Sequence, residues 1–124
     1  IKFLLIEGKA QNEVIKIKKD CDVYIDQIHN RGGWGYGMSS VEALSMGLVC
    51  MTELVPKYQK FIPDHPFIDI NKNNLREKII HLSKNKDIVI RKKDDGKKWV
   101  KKYHDISSVS DSLYKFYKEK SWIK

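Results

Sequence analysis

Over the first two-thirds of the chain, short apolar runs alternate with stripes at helical spacing. Residues 2–7 (Lys-Phe-Leu-Leu-Ile-Glu) are mostly apolar and stop at Gly8, the pattern of a strand covered on both faces. Residues 11–20 read as a short helix with Val14, Ile15 and Ile17 on its apolar side. Residues 22–27 (Asp-Val-Tyr-Ile-Asp-Gln) are rich in β-formers and predict a second strand. A glycine-dense loop, His29 to Gly37, follows. Met38, Val41 and Leu44 then repeat at helical spacing over 38–46, and Gly47 is placed to stop that helix in the left-handed conformation. Residues 48–52 predict a third strand, and 67–70, after a Pro-bounded loop, a shorter fourth. Strands alternating with helices predict right-handed βαβ crossovers and a parallel sheet. The expected fold is therefore α/β, a partial sheet of about four strands flanked by helices.

The last third changes period. Asn74, with Glu77 three residues on, precedes Ile79, Ile80 and Leu82 and predicts a capped amphipathic helix. A second helix is expected over about 86–103, with Gly96, Trp99, Val100 and Tyr103 on one face, so that Gly96 lets a neighbour approach closely. A last helix is expected from Ser108, with Asp111 completing its cap and Val109, Leu113, Phe116 and Tyr117 along one side. The chain thus divides into βα units over 1–72 and terminal helices over 73–124.

Composition narrows the class. A length of 124 residues gives one domain, and 41% apolar with 32% charged residues argues against disorder. The chain has no run of eighteen apolar residues, no signal-peptide pattern and no initiator Met, so a piece of a longer protein is the expectation. The net charge of +8 is uneven: residues 84–124 hold thirteen Lys or Arg against six acids. The Lys pairs 92–93, 97–98 and 101–102 fall largely opposite the apolar stripe, which reads as a solvated face. With only three Arg among 24 cations, a nucleic-acid partner is not expected. Basic patches also attract anionic leaflets, so peripheral contact with the cytoplasmic membrane face stays open. Cys21 and Cys50 adjoin expected buried strands and read as reduced core thiols of a cytoplasmic protein. His29, His65, His81 and His104 lack metal-ligand spacing, so no metal site is expected.

The chemistry concentrates between the second strand and the helix over 38–46. Four glycines fall within residues 32–37 and free the backbone for tight turns and close approach. In a parallel sheet this loop lies at the carboxyl edge of the strands, where ligands bind. The helix start aims unpaired N–H groups and its positive dipole end at the loop, a seat for phosphate. The candidate donors are the N–H groups of Gly37, Met38 and Ser39, helped by the hydroxyls of Ser39 and Ser40. The loop is neither the dinucleotide fingerprint nor the phosphate loop of nucleotide hydrolases. Glu42, one turn inside the helix, can accept hydrogen bonds from two vicinal hydroxyls of a sugar next to the phosphate. A flexible loop ending in an ordinary helix cap, with Glu42 as a surface residue, is the plainer alternative.

The segment from Lys18 to Thr52 resembles the C-terminal domain of GT-B glycosyltransferases, specifically the retaining glycosyl transferases group 1 family. The Gly35-Tyr-Gly block followed by Glu42-Ala-Leu-Ser-Met-Gly, with a strand on each side, carries the resemblance. It implies a Rossmann-like domain that binds a nucleotide diphosphate-sugar, in a parent hexosyltransferase acting on a glycan or lipid acceptor. Glu42 matches the second Glu of the family's Glu-x7-Glu motif, which binds ribose hydroxyls. Gly37 and Met38 match backbone donors to the diphosphate. The implied donor-binding set is Gly35, Tyr36, Gly37, Met38, Ser39, Ser40 and Glu42, with no metal and no other cofactor. Trp34 stands where the family's first Glu contacts the transferred sugar, so no catalytic residue is assigned. Leu48-Val49 replaces the family's usual Pro before the next strand.

The family's acceptor site lies in an N-terminal domain, and its phosphate-binding cations lie upstream. The 124-residue chain alone is therefore expected to be inactive. The family's strand order makes 2–7 and 22–27 the third and fourth strands, which are not neighbours, and so predicts an incomplete or rearranged sheet. A non-catalytic Rossmann-like module for a nucleotide or phospho-ligand is the alternative.

Overall fold

A computed structural model of the chain describes residues 1–29 and 35–124. Its elements in order are α1 (Gln11–Lys19), β1 (Val23–Ile25), α2 (Met38–Ser45), β2 (Val49–Thr52), a 3-10 segment (Pro56–Phe61), β3 (Ile68–Asp69), α3 (Leu75–Lys84), α4 (Lys86–Tyr103) and α5 (Ile106–Glu119). Among the described residues the three strands form one parallel sheet in the order β1-β2-β3. Val23 pairs with Val49 and Met51 pairs with Ile68. The fold is α/β, a parallel sheet flanked by helices and closed by helices.

β2 is the centre, and all four of its residues are buried. Both of its faces are therefore covered. On one, Cys50 joins Leu44, Leu54, Ile62, Phe67 and Trp99, with Tyr36 and Tyr103 packed at the margin. On the other, Val49 and Met51 meet Ile70 and Leu82, with Ile79 and Ile88 alongside. Strand alternation sends successive side chains to these two clusters. α4 closes tightly on α2: a Cβ on Gly96 would stand 2.8 Å from Leu44 Cδ2. That is the close approach expected at Gly96.

The α2–β2 connection is short for a definite reason. Gly47 has φ +83°, and its N–H donates to Leu44 O while Leu48 N–H donates to Ala43 O. This paired arrangement satisfies the last carbonyls of α2 and turns the chain straight into β2.

Three expectations need correction. Residues 2–7 form no strand, and Phe3, Leu4 and Leu5 are 69%, 51% and 84% exposed. An apolar run becomes a strand only where a neighbour supplies the ladder, and β1 bonds to β2 instead. Second, the Asn74 side chain does not cap α3. Its Oδ1 accepts from Asn71 N–H, while Asn71 Oδ1 accepts from Asn73 and Asn74 N–H, a turn that precedes the helix. Third, α5 begins at Ile106, not Ser108, because the Asp105 carboxylate caps it by accepting from Ser107 N–H at 3.1 Å.

Of the Lys pairs, residues 97–98 and 101–102 are exposed as expected. Lys92 and Lys93 are half-buried and reach Pro66 O and Asp22 Oδ1.

Candidate functional site

The site lies where β1 and β2 end and α2 begins. Gly37 is the N-cap of α2 in extended conformation, and Ser40 and Val41 N–H close the first turn by donating to Gly37 O. The N–H groups of Met38 and Ser39 precede the helical ladder and have no partner within it. Gly37, Met38 and Ser39 are exposed, Met38 to 82%. These three expected donors therefore stand together on an open rim.

The other predicted residues are placed differently. Gly35 is buried at φ +103°, and a Cβ there would stand 2.9 Å from Leu54 Cα and 3.0 Å from Glu53 O. The Thr52 hydroxyl donates to its carbonyl. Its close approach is to the chain leaving β2. The Tyr36 ring packs against Phe67 at 4.9 Å and edge-on to Trp99 at 5.7 Å. Burial pushes its hydroxyl above the ordinary value, and its ring belongs to the core. Ser40 is fully buried, and its hydroxyl donates to Asp26 Oδ2. Trp34 lies outside the described residues.

Glu42 sits one turn along the same helix, as expected, but its carboxylate is engaged. Oε1 accepts from Lys18 Nζ at 2.7 Å, and Oε2 accepts from Gln11 Nε2. The Lys18 side chain is 4% exposed and that of Glu42 27%. Lys18 Nζ also lies 4.2 Å from the centroid of the Tyr24 ring. Burying an ammonium is costly without such partners. Glu42 thereby ties α1 to α2 and keeps its own carboxylate in one orientation.

Lys18, Gln11 and Asp26 were not among the predicted site residues. Lys18 did leave a signal: Gln11, Val14 and Lys18 fall at i, i+3 and i+7, so the Lys occupies a core position of α1. Asp26 follows directly on β1, at the carboxyl edge. Its N–H donates to Met51 O at 2.9 Å, which extends the β1–β2 ladder. A Cβ on Gly37 would lie 3.9 Å from Asp26 Oδ2. The Asp26 carboxylate thus sits beside the α2 start, where the helix dipole favours an anion.

Burial pushes the Tyr24 hydroxyl up, and Asp26 adds to the shift. Burial likewise raises the Cys50 thiol to about 12, which keeps it an inert core group. Among the described residues, no three His, Cys, Asp or Glu side chains are grouped to hold a metal ion. No described helix is long and apolar enough to cross a membrane.

The arrangement offers an open helix start, a fixed carboxylate one turn further on, and the half-buried Asp26 carboxylate beside it. Compared with protein families, curated proteins and solved structures, the chain finds no match.

Proposed function

We propose that the chain is the donor-binding part of a GT-B-type glycosyltransferase and holds the diphosphate of a nucleotide-sugar at the first turn of α2. One observation carries this reading. The exposed residues Gly37–Ser39 begin α2 at the carboxyl edge of a parallel β1–β2 pair, with Glu42 held on the same helix by Lys18. Backbone donors and a helix dipole stabilise a leaving diphosphate without calling on a metal. In this reading Glu42 retains lone pairs for ribose hydroxyls, and Lys18 and Gln11 aim them. The parent enzyme transfers a hexose to a glycan or lipid acceptor bound by another domain.

The same ion pair favours a second reading, a non-catalytic phospho-ligand module. Both Glu42 oxygens already have protein partners, which is what a clamp between two helices requires.

Calorimetric titration of the 124-residue chain with uridine, guanosine and adenosine diphosphates separates the outcomes. Saturable binding of one diphosphate, weakened by Glu42→Gln with the fold intact, supports the donor site. Binding that Glu42→Gln leaves unchanged moves the weight to the phospho-ligand module. Absence of binding by all three nucleotides overturns the donor-site reading.

A further inference from the structure

The sheet has an unfinished edge. β1 is its outer strand, with β2 on one side. Asp22 O accepts from Val49 N–H at 2.9 Å, and Asp26 N–H donates to Met51 O at 2.9 Å. Strand alternation then turns the N–H and C=O groups of Val23 and Ile25 away from β2. Among the described residues, none of these four groups has a hydrogen-bond partner. Val23 and Ile25 are half-buried, where backbone groups left unpaired are costly. An edge of this kind is a template for another strand.

The same molecule holds a strand-like run with no ladder. Residues 2–7 make no hydrogen bond among the described residues, and Phe3, Leu4 and Leu5 are exposed. The run leaves α1 through Gly8, which has φ +62° and open space around it. Gln11 and Lys18 hold α1 itself on Glu42. The run is apolar on both sides, with Phe3 and Leu5 on one and Leu4 and Ile6 on the other. β1 is apolar on both sides too: Tyr24 borders one core cluster, and Val23 and Ile25 border the other.

Charge permits two copies to meet at this end. Residues 1–29 carry five Lys and five acids, so the +8 belongs entirely to the rest of the chain. Charge also selects the orientation. A parallel alignment sets Lys2 beside the Asp20 and Asp22 end of β1, whereas an antiparallel one would set Glu7 there.

We propose that residues 2–7 of one copy add in parallel to the β1 edge of a second copy, and that the two chains exchange these strands reciprocally. Main-chain bonds to Val23 and Ile25 hold the added strand, and its alternating side chains extend both core clusters. The exchange is closed, because each copy gives one run and fills one edge. It covers the apolar run and the unpaired backbone together. This inference is independent of the donor-site reading.

The test is light scattering of the 124-residue chain over rising concentration, with amide hydrogen exchange read alongside. A doubling of mass is expected, together with slowed exchange at Phe3–Ile6 that appears only in the dimer. Leu4→Pro with Leu5→Pro removes N–H groups on both sides of the run and should return the chain to a monomer. Both residues are exposed, so far-ultraviolet circular dichroism should stay unchanged. A chain that stays monomeric overturns the proposal, as does slowed exchange at Phe3–Ile6 already in the monomer, which would mean that each run closes its own edge. A dimer that survives the prolines also overturns it. So does a dimer lost on Leu113→Glu with Phe116→Glu, since these residues lie on the exposed face of α5.

Discussion

Lys18 Nζ and Glu42 Oε1 are 2.7 Å apart, and the two ends of this pair are unequally buried. The Lys18 side chain is 4% exposed, that of Glu42 27%. Removing either partner therefore has a different effect. Glu42→Ala leaves an ammonium in the interior and should lower stability by about 3 kcal/mol. Lys18→Met leaves a carboxylate that can still reach Gln11 and water, and should lower it by only about 1 kcal/mol. Urea denaturation of both variants checks the order, and the reverse order would mean that Tyr24 alone keeps Lys18 in place.

The Asp26 carboxylate competes with any anion drawn to α2. Asp26→Asn keeps a hydrogen-bond partner for Ser40 and removes the negative charge. Diphosphate affinity should then rise by about fivefold, the value of roughly 1 kcal/mol of relieved repulsion. Titration calorimetry reads this directly, and an unchanged affinity would place the ligand elsewhere.

Gly96→Ala sets two effects against each other. Alanine favours the helix by about 1 kcal/mol. The new Cβ would stand 2.8 Å from Leu44 Cδ2, and Leu44 is fully buried. Overpacking of this kind costs roughly 1–3 kcal/mol. A small net loss is expected on thermal denaturation, and Gly96→Val should lose more.

His65 and His104 make the fold sensitive to acid. Burial lowers both below the ordinary 6.5, Lys92 lowers His65 further, and Asp69 opposes it. The unfolded chain therefore binds these protons first, and stability falls as the pH drops below about 6.5. The loss levels off once the folded imidazoles are also protonated. Melting temperatures from pH 7.5 to 5 should show this decline, and the His65→Gln, His104→Gln double variant should flatten it.

Native Cys50, fully buried and with its thiol raised to about 12, should resist a disulfide reagent near neutral pH. Cys21 is half-buried and should react first. Two thiols reacting at one rate under native conditions would contradict the core placement of Cys50.

The parts legible from sequence were those governed by local rules. The spacing of Met38, Val41 and Leu44 and the stop at Gly47 located α2, because both act within a few residues. The bounds of α4 and the close approach at Gly96 followed from one continuous stripe. The run at 2–7 misled because strand formation depends on a partner that periodicity does not reveal. Glu42 was visible as a carboxylate on α2, but Lys18 came to it from another helix, and no spacing within α2 announces that. Tyr36 looked like a loop residue at a ligand edge, and only the placement of Phe67 and Trp99 made it a core ring.

The turn Met46–Leu48 also limits how this protein can vary. It joins α2 to the central strand with no slack, since the carbonyls of Ala43 and Leu44 are bonded across it. One residue added within α2 before that junction would rotate everything upstream by about 100°. Glu42 would swing off Lys18, and the helix start would turn from the carboxyl edge of the sheet. Length changes along α2 are therefore not tolerated, and the helix acts as a ruler whose zero mark is Gly47.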